Sequence, residues 1–409
     1  MSTERSNNIG ANETPESAEE QGRRASNVEL FLDLVFVFAI TQIASLIAHR
    51  PSWSGFGKGA LIAWLVWWLW SQFSWTGSAI DLETSQRGQF GVLLAVPSAL
   101  VMAVALPEAF GSGGSQFAVA YCITRFIAIG LLASEMWRDP AARATFLSYA
   151  GFAAIGPCAV AAGGFMHGTM RIVLWTIGAL LGFIGALSSG RAQPEGGGWS
   201  IDPAHFSERH ALFVIISLGE VLVAAGTNAS EAGAANHLIF GLVAPVLVAC
   251  VMWWVYFAFI PRVTEDALRR VSGEHRARVA RDMFSFMHFP IVFGIILYAV
   301  VAKHVVLEPS HHLGTFDQRM LAASMLCLLG GFMGIHYQYN RGVALERVTA
   351  LVLLVVLALG FGKVLPSAVL VLIAAVVLTV MHAVTIARFR GRIEAGLLRA
   401  GFGDQAPPD

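Results

Sequence analysis

The sequence predicts an all-α integral membrane protein of about twelve transmembrane helices, arranged as two parallel six-helix repeats. Three observations carry that expectation. Charged residues make up only 13% of the 409-residue chain against 56% apolar residues, with a mean hydropathy of +0.63, whereas soluble domains carry about 25% charge. Apolar runs long enough to cross a hydrocarbon core of about 30 Å recur along most of the chain. Short motifs from the first half return, in order, in the second.

The runs fall at 28–48, 56–79, 90–107, 116–136, 144–165, 170–189, 209–227, 237–260, 283–303, 319–338, 346–362 and 366–388. Helix breakers punctuate them: Pro51, Pro107, Pro140, Pro194, Pro261, Pro309 and Pro366. The gaps are short, as antiparallel neighbours in a bundle require. Trp53, Trp137 and Trp199 lie near run ends, where indole rings favour the membrane interface. Residues 1–27 hold no apolar run and read as a disordered cytoplasmic tail without a signal peptide, so the first run is expected to direct insertion. Residues 389–409 read as a second cytoplasmic tail.

Orientation follows from Lys and Arg. With the N-terminus inside, twenty of the 27 fall in inner segments and six in outer ones; Arg125 lies within a run. That bias predicts cytoplasmic termini. The 27 basic and 27 acidic residues balance, so no global field attracts nucleic acid. Cys122, Cys158, Cys250 and Cys327 all sit in apolar stretches without CxxC spacing and read as plain helix residues.

The repeat rests on spacing. Trp67-Trp68-Leu69-Trp70 returns as Trp253-Trp254-Val255-Tyr256, and Arg87-Gly88-Gln89-Phe90 as Arg281-Asp282-Met283-Phe284. Glu29 matches Glu208. The offsets grow smoothly through 179, 186 and 194, as loop growth between copies would produce. The halves are then 28–189 and 208–388, joined by a cytoplasmic linker at 190–207. An even number of helices gives both copies one orientation.

Ionisable groups inside the hydrocarbon are expensive and mark partners or pathways. Arg125 lies roughly 14 Å from the outer side and Glu220 roughly 18 Å from the inner side by helical rise, so both fall near the midplane. An Arg125–Glu220 ion pair, or a shared proton or substrate site, is expected there; a purely structural pair is the competing reading. Nearer the cytoplasm, Asp33, His288 and His336 fall at one depth, and Glu29 shares a helix face with Asp33 at i, i+4. A carboxylate–histidine layer of this kind can relay protons, or its groups can snorkel to water. Glu208 suits the first turn of a helix. Thr41 and Gln42 can line a polar path or bond to a neighbouring helix. The six arginines of 261–282 read as an anchor for anionic membrane lipids. His304, His311 and His312 lack metal-ligand spacing, so neither a metal nor a cofactor is expected.

Two stretches resemble a known family. Residues 29–42, Glu29-Leu30-Phe31-Leu32-Asp33-Leu34-Val35-Phe36-Val37-Phe38-Ala39-Ile40-Thr41-Gln42, are similar to the opening signature of the bacterial low temperature requirement A (LtrA) family. Residues 205–220, from His205-Phe206-Ser207-Glu208-Arg209-His210 to Ser217-Leu218-Gly219-Glu220, are similar to its central signature. Trp253-Trp254-Val255-Tyr256-Phe257 and His288-Phe289-Pro290 resemble its later helices; Ala211 departs from the pattern, which has glycine there. The resemblance spans about 28–388. It implies a multi-pass protein of the bacterial cytoplasmic membrane with a growth phenotype in the cold, and it brings no catalytic residue with it.

Three functions compete. A proton-coupled secondary transporter, moving a small solute or ion through a site at the repeat interface, fits the duplication and the buried charges. A sensory or structural protein of cold adaptation fits the phenotype that the resemblance implies. A lipid-modifying membrane enzyme would need a nucleophile–base pair or a metal motif, and the sequence has no HExxH, no GxSxG and no large soluble catalytic domain. No catalytic residue is assigned.

Overall fold

The computed structural model describes residues 23–188, 199–232 and 236–399. Among them every regular element is helical, apart from one isolated bridge between His312 and Pro366. The helices are α1 (Asn27–Ala48), α2 (Trp53–Ala79), α3 (Gln86–Ala105), α4 (Gly114–Met136), α5 (Pro140–Gly164), α6 (Gly168–Ser188) and α7 (Pro203–Ala232). They continue with α8 (Asn236–Phe257), α9 (Ile260–Arg269), α10 (Gly273–Val279), α11 (His288–Leu307), α12 (Thr315–Asn340), α13 (Leu345–Phe361) and α14 (Ser367–Arg399). A 3-10 turn, Leu106–Glu108, extends α3, and a π-helical segment, Ala280–Phe286, leads into α11.

Each of the twelve apolar runs became a helix, and among the described residues ten helical spans are long and apolar enough to cross a membrane. The two that fall short do so for different reasons. Helix α13 has 17 residues, about 26 Å at helical rise. Helix α2 is long enough, but Lys58 and its Gly, Ser, Gln and Thr residues dilute its apolar character. It is also buried on most sides, with Trp67, Trp68, Trp70 and Phe73 almost inaccessible. A helix surrounded by protein does not need a lipid-compatible surface. Helix α3 shows the opposite case, exposing Phe90, Leu93, Leu94, Leu100, Val101 and Val104, the surface that lipid contact favours.

The expected arginine-rich loop at 261–282 is instead α9 and α10, and its charges are largely paired. Arg269 meets Glu265, Arg270 meets Asp266, Arg278 meets Glu274 and Arg281 meets Asp282. Two pairs of short i, i+4 partners on α9 explain why so charged a segment is helical at all.

The ends also differ from expectation. The expected tail residues 1–22, the linker residues 190–198 and the last ten residues lie outside the described residues. Residues 23–26, expected to be disordered, are tied down: the Arg23 backbone N–H donates to Asp202 at 3.1 Å and the Ala25 N–H to Glu208 at 2.8 Å. Burial favours a protonated Asp202, but the backbone N–H groups of His205 and Arg23 and the Arg23 charge hold its carboxyl below the usual carboxylate range. Helix α14 runs on to Arg399, beyond the expected boundary at 388.

Neighbouring helices within each half follow one pattern. In 28–189, α1 packs on α2 and α3, α3 on α4, α4 on α5, α5 on α6, and α2 on α6. In 208–388, α7 packs on α8 and α11, α11 on α12, α12 on α13, α13 on α14, and α8 on α14. The halves meet chiefly where α1 and α2 contact α7 and α11.

Close approach at the α11–α12 contact depends on Gly294. A Cβ there would lie 2.8 Å from both the Ser324 carbonyl oxygen and the Leu328 backbone nitrogen, and Ser324 Oγ donates to the Gly294 carbonyl at 2.7 Å. Backbone cannot swing aside as a side chain can. Gly294→Ala is therefore expected to cost about 1–3 kcal/mol, read as a lowered thermal midpoint of the purified protein in detergent. An unchanged midpoint would show that the two helices can part without loss.

Candidate functional site

The site begins with two helix starts. Ser26 caps α1, and its N–H and Oγ both donate to Glu29 Oε2, at 2.9 and 2.8 Å. This reciprocal cap fixes the Glu29 side chain on the inner face of the first turn. One turn later comes Asp33, on the same face. Helix α7 offers the complement: His205 and Arg209, also four residues apart, on the face turned toward α1.

The two pairs mesh. His205 Nε2 donates to Glu29, 3.1 and 3.2 Å from its two oxygens. Arg209 grips Asp33 with both terminal nitrogens, at 2.5 and 2.8 Å, while its Nε stands 3.4 Å from Glu29 Oε1. Trp70 Nε1 donates to Asp33 Oδ1 at 2.9 Å, and the Arg209 guanidinium lies 5.6 Å from the Trp70 ring centre. Arg209 is 0% exposed and Asp33 1%. A planar guanidinium with five donors in a rigid fork can hold one carboxylate with two parallel bonds and still face a second; the compact ammonium of lysine has no such fork.

An aromatic and histidine layer lies beside this cluster. His210 packs against the Trp70 ring at 5.0 Å and the His288 ring at 5.2 Å, and its Nδ1 lies 2.8 Å from the Phe206 carbonyl oxygen. His288 has Tyr256 OH at 2.9 Å from Nε2 and the Met283 carbonyl at 2.9 Å from Nδ1. The π-helical segment supplies the next links. Its wider turn presents Ser285, whose carbonyl accepts from Trp67 Nε1 at 2.7 Å and whose Oγ accepts from Trp75 Nε1 at 3.0 Å. Buried nitrogens remain without a hydrogen-bond partner at His205 Nδ1 and His210 Nε2.

A second polar layer lies about 12 Å further along α1, eight residues beyond Asp33. Here Thr41 Oγ1 donates to Glu220 Oε2 at 2.5 Å, while Glu220 Oε1 has no hydrogen-bond partner among the described residues. Lys303 Nζ donates to Ser45 Oγ at 3.4 Å, one turn of α1 beyond Thr41. Glu220 is 2% exposed.

Several expectations change. Arg125 and Glu220 do not form an ion pair. Arg125 Nη2 donates to Tyr149 OH at 2.5 Å, Tyr149 donates to Gln72 Oε1, and Arg125 Nη1 has no partner among the described residues. Counting residues gave their depth but not their position around the bundle: α4 packs on α2, α3 and α5, while Glu220 points at α1. The Asp33–His288–His336 layer also divides. Asp33 and His288 share the aromatic centre through Trp70 and His210, whereas His336 lies 3.3 Å from Asn340 on its own helix. Glu208 accepts from the Ala25 N–H and so holds the chain before α1. Gln42 is half-buried beside Thr41. Arg209, the first residue of the expected seventh run, is the most deeply buried charge of the site.

Sequence reasoning did not assign roles to His205, Arg209, His210, Trp70 or Tyr256. A signal was available: an acidic i, i+4 pair near the start of the first run and a basic i, i+4 pair near the start of the seventh.

With the geometry in place, comparison with known proteins adds the following. The family described as "Bacterial low temperature requirement A protein (LtrA)" matches residues 24–383. An uncharacterized protein of Rhizobium meliloti (strain 1021) is 32% identical over 306 residues, covering 72% of this chain and 72% of the relative. No solved structure matches the chain.

Proposed function

This chain belongs to the bacterial low temperature requirement A family, and we propose that it is a proton-coupled secondary transporter of the bacterial cytoplasmic membrane. Under this reading both termini are cytoplasmic, the surrounding lipids are its structural partners, and the cargo is a small solute or ion. The halves 28–189 and 208–388 are parallel repeats. Their shared pattern of helix neighbours supports that relation. So does the Thr41–Glu220 bond: its two residues are 179 apart, the offset that matches Glu29 to Glu208. Equivalent positions meet each other only near an axis relating two copies.

The observation that carries the transport reading is Glu220. A carboxyl group buried between the halves, with one oxygen bonded to a hydroxyl and the other unpartnered, can exist charged or protonated with little rearrangement. Such a group is costly in a membrane interior unless it has work to do there. The Glu29/Asp33–His205/Arg209 cluster has the opposite character, since each of its carboxylates is held by a hydrogen-bonded partner on α7. It locks the halves at one end while the Glu220 layer exchanges protons at the other.

The test is proton flux in proteoliposomes under an imposed membrane potential. Glu220→Gln keeps the side-chain shape and the oxygen that accepts from Thr41 but cannot carry a proton on and off. It is expected to reduce flux to the liposome background with insertion and thermal midpoint unchanged. Wild-type flux in the folded variant would sink the assignment. The matched cluster favours a second reading, a non-transporting structural or sensory protein, and silence from wild type across a solute screen would favour it.

A further inference from the structure

A narrow cleft opens where α2, α5 and α6 meet α10 and the π-helical segment. It lies apart from Glu220 and takes no part in the proposed proton site. Trp68, Trp75, Trp199 and Tyr149 form its aromatic walls, and Arg278 and Arg281 also line it.

Its hydrogen-bond inventory is one-sided. The acceptors on the wall are already in use: Gln72 Oε1 by Tyr149, Tyr149 OH by Arg125, and Ser285 Oγ by Trp75. What is left over donates. Arg125 Nη1 has no partner among the described residues, nor does Trp68 Nε1, which lies against Gly182 one turn from the cleft wall. Charge is one-sided too. Arg278 is matched by Glu274 and Arg281 by Asp282, but Arg125, 1% exposed and directly behind Tyr149, has no carboxylate within salt-bridge distance among the described residues. A buried cation without an anion is the kind of group a ligand completes.

We infer that this cleft binds a small organic carboxylate. The carboxylate lies on the Gln72–Tyr149 side, in front of the buried Arg125 charge, and the apolar body lies along the indoles. The aromatic walls select for that body, because a bare oxyanion would leave them uncovered. The inference concerns binding alone and stands whether or not Glu220 carries protons.

Equilibrium binding of radiolabelled benzoate to the purified full-length chain in detergent tests it. Saturable binding is expected, displaced by unlabelled benzoate and not by neutral benzamide. Arg125→Gln and Arg281→Gln should each weaken it about tenfold or more, with thermal midpoints reporting that both variants are folded. Four results would overturn the inference: no saturable binding, equal displacement by benzamide, displacement by inorganic phosphate as strong as by benzoate, or unchanged affinity in both folded variants.

Discussion

Arg209→Met is expected to destabilise the protein by about 3–5 kcal/mol, enough to lower the thermal midpoint steeply in detergent and to cut the yield of folded protein from membranes. Methionine fills much the same volume, so the loss is electrical rather than steric. Asp33 would keep only the Trp70 N–H, and Glu29 would keep His205 and the Ser26 cap. Two carboxylates would then share a nearly inaccessible site with no guanidinium between them. Breaking a buried pair by removing one partner is costly because the other stays buried. Asp33→Asn in the Arg209→Met background should therefore recover part of the loss, with a coupling energy of about 0.5–3 kcal/mol in the double-mutant cycle. Arg209→Lys should fall between, since a single ammonium cannot hold Asp33 with two bonds and also face Glu29. A midpoint for Arg209→Met close to wild type would mean that the cluster contributes nothing to holding α1 against α7.

Much of this architecture is legible in the sequence, because lipid imposes length and apolarity on each span separately. The twelve runs need no knowledge of their neighbours. Neighbour relations are another matter. Helical rise converts sequence position into depth, which made Arg125 and Glu220 look like partners at one level. Azimuth decides contact, and azimuth is set by which helices pack together. The acidic pair Glu29 and Asp33 was visible as a shared face, yet its partner pair was obscured by drawing the seventh run from Arg209 onward. That boundary left His205 in a linker and put Arg209 at the very end of the run. Helix α7 actually begins at Pro203, two residues earlier than His205, and both side chains then point at α1. Trp70 and Tyr256 were visible only as markers of duplication. Their hydrogen bonds to Asp33 and His288 depend on packing that a repeat motif does not encode. The π-helical segment has no sequence signature in a stretch as charged as 276–286, and it is what brings Ser285 to two tryptophans.

The same substitution at the other deeply buried arginine should have the opposite sign. Arg125→Met is expected to stabilise the protein by about 1–3 kcal/mol, because the charge it removes has no counter-ion to leave behind. Arg125 is held by a phenol and, through it, by an amide; neither returns the free energy lost when a guanidinium leaves water. Tyr149 would lose one donor at a cost of about 1 kcal/mol but would still donate to Gln72, so the balance remains favourable. A residue that costs stability and persists in a membrane interior is kept for something other than the fold. Thermal unfolding and benzoate binding, measured on one preparation, separate the possibilities. A raised midpoint together with lost binding would assign Arg125 to the ligand. A fall comparable to that of Arg209→Met would show that Arg125 has a structural counter-charge after all, and the cleft in front of it would lose its reason to bind an anion.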